Sequence, residues 1–343
     1  MSEVILTVNG ARYGGWTRVE IRSGIEQISS TFSLGLTERW SDRAEAWPIR
    51  QGDACTVAAG GEILITGYVD DVLPSFDNDN HGITVVGRDK TGDLVDCSAI
   101  AESGEFHGRD LLQIAEALVK PFKIKVSAET DLGAPLKRFS IQEGETVFEA
   151  LERAARMRGV LLISDGLGNL VITRAGSGRV GTGLVQGDNI LSGRATYSLR
   201  ERYKNYICKG QAAGFDTSTP EQNSGPRGEA ADKNVGRYRP LLIVAEDLAD
   251  SAGLKERALW EAAVRMGRSA RPEITVQGWS HPAGLWRPNR LVPVRCPYLK
   301  LDRDLLIVGV ISIKDEDGTK AVLELCRPEG FALLPVPETG GGI

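Results

Sequence analysis

Alternating apolar and polar runs dominate both ends of this chain, and one arrangement of them occurs twice. The first copy leads from Trp47-Pro48 into the run 63–69, turns through 77–80 and returns along 83–88. The second leads from Trp286-Arg287-Pro288 into 306–311, turns through 315–318 and returns along 321–327. Trp47 lies 20 positions before Gly67, and Trp286 lies 23 before Gly309. Gly67 lies 21 before Arg88, and Gly309 lies 18 before Arg327. Alternation of this kind predicts half-buried antiparallel strands. Two copies predict a duplicated scaffold rather than one active site. The plainer reading is that any two hairpins of an antiparallel protein look alike.

The remaining pattern divides the chain. Residues 1–97 read as a first β-barrel domain, with strands at 4–8, 17–21 and 31–36 ahead of the first hairpin. Short strands separated by Gly, Asn and Asp favour a small barrel or sandwich. Residues 98–176 read as an α/β domain. Gly108-Arg109-Asp110 opens a helix with Leu111, Leu112, Ala115, Leu118 and Val119 on one face, and Pro121 ends it. A strand is expected at 123–126. Thr146 and Glu149 form a capping box for a second helix, which stops at Gly159. A hairpin at 160–173 follows. Residues 177–343 read as a second β-barrel domain with a helix-containing α/β portion at about 211–270 and a flexible tail from Pro335. Ala175 to Gly187 reads as a Gly-rich linker or loop, strands resume at 195–199 and 203–209, and 211–237 reads as a long loop. Asp250 or Ser251 caps a third helix carrying Leu254, Ala258, Ala262 and Met266 and closed by Gly267. The fold class is therefore α+β, mainly β: two similar small antiparallel barrels plus α/β parts. Whether the strands near 195–210 belong to the first or second barrel stays open.

Length and composition narrow the function classes. At 343 residues, two or three domains are expected. A net charge of −5 and the lack of a basic stripe argue against a dedicated nucleic-acid binder. Five scattered cysteines, Cys55, Cys97, Cys208, Cys296 and Cys326, show no CxxC spacing, so neither a disulfide framework nor a zinc site is expected. Most read as small buried apolar groups in a reducing compartment. The first residues lack a basic region and a long apolar run, so no signal peptide is expected. No apolar stretch is long enough for a transmembrane helix.

Candidate chemistry is thin. Of three histidines, His81 sits in an acidic turn, His107 before a helix, and His281 between Ser280 and Pro282. None accompanies a nucleophile elbow. Gly176, Gly178 and Gly181 have dinucleotide-loop spacing, but the residues after them cannot form the helix whose amides would hold a pyrophosphate. Gly87 to Gly92 has phosphate-loop spacing, but Asp93 replaces the required lysine. Acid clusters at Asp70-Asp71, Asp77/Asp79 and Asp315-Glu316-Asp317 suit paired-carboxylate hydrolysis or calcium. The last two fall in turns, where Asp is favoured for local hydrogen bonding. Six tryptophans, Trp16, Trp40, Trp47, Trp260, Trp279 and Trp286, suit core or interface roles equally. No catalytic, cofactor or metal residue is assigned.

Longer motifs carry a resemblance. The stretch 65–72 (ITGYVDDV) with 87–98 (GRDKTGDLVDCS), and 139–149 (FSIQEGETVFE) with 161–165 (LLISD), resemble the baseplate hub proteins of Mu-like contractile-tail bacteriophages. The similarity runs through nearly the whole chain. Relatives of that family include the hub of T4-like phages and the N-terminal part of type VI secretion spike proteins. The resemblance implies a non-enzymatic homotrimer in which each subunit supplies two barrels. It implies a pseudo-sixfold ring that joins a sixfold tail tube to a threefold spike. It also implies partners among the spike, tube and other baseplate proteins, no cofactor, no sequence-specific nucleic-acid contact and no stable membrane insertion. The location implied is the virion baseplate, assembled in the host cytoplasm. Interface residues are not implied.

Two other classes compete. Residues 139–159 faintly resemble the start of a LysM repeat, which suggests a peptidoglycan-binding module, although that repeat needs two helices where one leads straight into a hairpin. The acid clusters suggest a tail-associated hydrolase.

Overall fold

The computed structural model describes residues 3–37, 48–78, 81–176, 178–210, 226–244, 251–332 and 334. The first β unit comprises β1 (Val4–Val8), β2 (Ala11–Tyr13), β3 (Arg18–Gly24), β4 (Thr31–Thr37), β5 (Ala54–Ala59), β6 (Glu62–Phe76) and β7 (His81–Asp89). Its sheet order is β3-β4-β7-β6-β5-β1-β2, all antiparallel. Every second residue faces one core: Val4, Leu6, Val19, Ile21, Phe32, Leu34, Val57, Ile65, Val69 and Val85 are buried together. This is the period-two burial that the alternation predicts.

The chain then builds a helical layer: α1 (Gly92–Asp96), β8 (Glu105–Arg109), α2 (Leu111–Val119), β9 (Val126–Ala128), β10 (Leu136–Ser140), α3 (Val147–Arg158), β11 (Leu161–Ser164) and β12 (Leu170–Thr173). Both α2 and α3 start with a full capping box, Asp110/Gln113 and Thr146/Glu149, and Gly159 ends α3 at φ 61°. The expected strand at 123–126 forms three residues later. Lys120–Phe122 makes a 3-10 turn and Lys123 adopts φ 55°, which breaks the extended run.

The second β unit comprises β13 (Gly178–Arg179), β14 (Leu184–Val185) and β15 (Ile190–Tyr197) and, after an insertion, β19 (Ala270–Gln277), β22 (Arg290–Cys296), β23 (Leu301–Asp315) and β24 (Gly318–Cys326), with the small hairpin β20 (Ser280–His281) and β21 (Gly284–Leu285) between. The Gly-rich stretch expected as a linker or loop instead adds β13 and β14, parallel to β22. The insertion holds β16 (Asn205–Lys209), β17 (Arg227–Ala231), β18 (Pro240–Val244) and α4 (Ser251–Arg268). The expected loop at 211–237 therefore contains a strand, β17, which pairs with β16. Residues 211–225, Asp250, Trp40, Trp47, Asp79 and the tail from Pro335 lie outside the described residues. Of the strands near 195–210, β15 pairs with β19 of the second unit and β16 belongs to the insertion.

Gly267 does not close α4, which runs on to Arg268. Its role is steric, because a Cβ there would lie 2.6 Å from the Cα of Gly330. In an open helix Gly→Ala gains about 1 kcal/mol from helix propensity. At Gly267 the backbone of 329–330 has nowhere to go, so Gly267→Ala should instead destabilise the protein by about 1–3 kcal/mol, read from urea unfolding. A stabilised variant would show that this contact is loose.

Candidate functional site: the duplicated units and their joint

The two β units share one plan. The five-strand order β3-β4-β7-β6-β5 of the first repeats as β15-β19-β24-β23-β22 in the second. In both, the first, second, fifth, fourth and third strands lie side by side. The long strand has 15 residues and its return strand nine in each unit. Each long strand carries one β-bulge against its return strand: Asp70 between the pairs Val69↔Gly87 and Asp71↔Val86, and Val308 between Ile307↔Leu325 and Gly309↔Glu324. Just before the bulge, the carbonyls of Val69 and Ile307 accept equivalent backbone bonds, from Gly52 and Asn289. Aligned on the bulges, Val69, Val72 and Val85 correspond to Ile307, Val310 and Leu323. All six contribute to their own core. Gly67 and Gly309, which the sequence pattern aligns, are not equivalent, because Gly67 corresponds to Leu305.

Among the described residues, β2 pairs only with β1 and β15 only with β19, so each unit is a barrel-like sheet whose ladders leave it open. The units join through β3 and β23, antiparallel from Gly309↔Gly24 to Lys314↔Val19. The Ile25 N–H donates to the Val308 carbonyl at 2.9 Å. Trp279 of the second unit packs into the first core and donates its Nε1–H to the Ile313 carbonyl at 2.9 Å. Arg271 to Glu26 and Arg287 to Glu62, each at 2.6 Å, tie the units across the surface. A cleft of about 340 Å³ remains where both units meet the helical layer, lined by Trp279, Trp286, Asn289, Ile163 and Ser164 among others. Asn289 is buried there and occupied, accepting from Gly176 N–H and donating to the Arg174 carbonyl.

Among the described residues the candidate chemistry does not assemble. Arg88 holds Asp70 at 2.7 Å and Asp96 at 2.6 Å, and those hydrogen bonds push its guanidinium pKa further up. Lys320 lies 2.8 Å from Asp315 and 3.9 Å from Asp317, and its hydrogen bond holds Asp315 below the usual carboxylate value. His107 sits exposed beside Glu105, His81 stacks on Phe76, and His281 packs on Trp286. No cluster of metal-ligating side chains occurs among the described residues. Gly176, Gly178 and Gly181 lie in the run around β13, and the next element is the strand β14 rather than a helix. All five cysteines are free; only Cys97 is exposed. Burial pushes the Cys55 thiol up to about 12 and the Cys326 thiol up to about 11, which keeps both protonated and unreactive.

The geometry is that of a scaffold in which two β units of the same strand order are joined through β3 and β23. Family models match three stretches of the chain. Residues 3–89 match the N-terminal domain of the Mu phage baseplate assembly protein GpP-like family, 91–174 the second domain of the baseplate hub protein gp44-like family, and 250–334 the fourth domain of GpP. The baseplate hub protein gp44 of Escherichia phage Mu is 34% identical over 97% of this chain and 89% of its own. The 43 kDa tail protein of prophage MuSo2 from Shewanella oneidensis is 42% identical, with a TM-score of 0.88 over 97% of this chain and all of that one. A component of the E. coli type VI secretion system has a TM-score of 0.57 at 12% identity, over 93% of this chain and 76% of that one. That last likeness shows the fold alone. The chain belongs to the baseplate hub protein family of Mu-like phage tails.

Proposed function

We propose that three copies of this chain close into a ring whose six β units form the pseudo-sixfold hub between the tail tube and the central spike. The observation that carries this is the repeated five-strand order inside one chain. Two equivalent units per subunit let a threefold assembly meet a sixfold partner without breaking closed symmetry. The role is structural: of the acidic groups that invited a hydrolase reading, Asp70 is paired with Arg88 and Asp315 with Lys320. The native mass of the purified protein, alone and with its spike, tests this. A species of three 37.0 kDa chains is expected in at least the second case. A single chain persisting with spike present would refute it.

A further inference from the structure

The joint within the chain shows how one unit accepts another. On one edge of β23, Leu301–Ile307 is covered by β22 and the rest, Gly309–Lys314, by β3 of the other unit. The equivalent edge of β6 is covered by β5 only as far as Tyr68, with Val69 bonded to residues 52 and 53. Beyond the bulge, from Asp71 to Phe76, that edge has no ladder partner among the described residues. The strand equivalent to β3 is β15, whose edge away from β19 likewise has no ladder partner among the described residues. Each unit thus repeats one half of the joint, and the chain ends up with one socket and one strand left over. Both carry apolar side chains out in solvent: Leu73 (53% exposed) and Phe76 (84%) on β6, and Leu191 (57%) and Tyr197 (56%) on β15. Unpaired apolar edges are normally blunted or covered.

The registers fix how these edges would meet. Val72↔Val85 corresponds to Val310↔Leu323, Leu34↔Val85 to Ile274↔Leu323, and Val19↔Leu34 to Gly193↔Ile274. Val19 therefore corresponds to Gly193 and Ile21 to Ala195. Ile21 and Ala195 both face their own core, so the correspondence keeps inside and outside consistent. Transferring the observed joint gives one register.

We propose that β15 of one copy adds antiparallel to the open half of β6 in the next copy, with Val72 opposite Tyr197, Leu73 opposite Thr196, Pro74 opposite Ala195, Ser75 opposite Arg194 and Phe76 opposite Gly193. This rests on the ring reading above. The occupant is a second copy because the two edges are the two halves of a joint the chain already makes with itself. They lie at separate places on one continuous sheet, seven strands apart in its order. The contact is head-to-tail, so it closes into a ring or runs on as a filament. The large Phe76 ring falls across from Gly193, which has no side chain of its own; Leu299 Cδ1 lies 3.1 Å from where a Cβ would sit, so Phe76 packs beside Leu299. Pro74 removes at most one donor and leaves the isolated edge less able to pair at random.

Disulfide trapping tests the register. The Leu73→Cys/Thr196→Cys variant places thiols directly opposite, within bridging range, whereas Leu73→Cys/Arg194→Cys puts them on the same face but about 7–8 Å apart. Ser75→Cys/Arg194→Cys is a second in-register pair, should the first fold poorly. Each protein is oxidised under conditions where the native species is the ring, with spike if needed, and run without reductant. The in-register variants should give covalent dimers and trimers, at least about fivefold more than the off-register pair and the single variants. A wild-type trimer whose in-register variants cross-link no better than the off-register one overturns the proposed joint and leaves the ring reading standing. A wild-type chain that stays monomeric with its spike removes the ring reading itself.

Discussion

Gly67→Ala is expected to cost about 3 kcal/mol or more, while Gly309→Ala, the other glycine of the repeated pattern, should cost under about 1 kcal/mol. The difference lies in what each new methyl group would meet. At Gly67 it would fall inside the contact distance of the Arg88 carbonyl and 2.5 Å from the Cα of Asp89. Those are backbone atoms of β7, held by the β6 ladder on one side and by β4 on the other. They cannot move without parting the sheet. At Gly309 the three nearest atoms all belong to the Glu324 side chain, whose carboxylate end can swing away. Urea unfolding of the two variants, beside the parent, measures the contrast. Equal losses would mean that the Glu324 side chain cannot swing clear of a methyl group at Gly309.

That contrast also marks how far the sequence carries. The two hairpins were legible because alternation and Asp/Gly-rich turns are local signals. The capping box of α3 and its Gly159 stop were legible for the same reason. Equivalence between the hairpins was not, since it depends on where one extra residue bulges out of each ladder, and Asp70 and Val308 share no residue type. The β3–β23 joint links residues almost a chain length apart, and nothing in either run announces its partner. β17 was missed because Arg-Gly-Glu-Ala-Ala has no apolar alternation. It is a strand because β16 templates it and because Gly228 lets the backbone of α4 approach within contact distance. Gly267 was misread for a related reason, since a glycine near a helix end fits a stop signal and a close contact equally well. As for chemistry, the acid clusters were visible from composition, but their counter-ions were not. Arg88 follows Asp70 by 18 positions and meets it only because β6 and β7 are neighbours.

Asp89→Ala should cost about 2–4 kcal/mol, with a loss that shrinks as pH rises. Asp89 is buried at the end of β7 and accepts the backbone N–H of Ser30 at 2.7 Å, the backbone N–H of Thr91 at 2.8 Å and the Thr91 hydroxyl at 2.5 Å. Ser30 leads into β4 and Thr91 into α1, so one carboxyl ties the first β unit to the helical layer. Alanine would leave two main-chain donors buried without an acceptor, each worth about 1–3 kcal/mol. Burial raises the carboxyl above its ordinary value of 3.8, and the donors only partly offset this. The folded state therefore binds this proton more tightly than the unfolded chain does. The group's contribution is largest below the ordinary value, declines as pH climbs toward the raised folded value, and is constant above it. The stability difference between parent and Asp89→Ala should accordingly narrow from acid toward neutral pH in paired urea titrations. A difference that widens with pH would show that the donors, not burial, dominate at Asp89, which would make the site a carboxylate cradle rather than a desolvated tie.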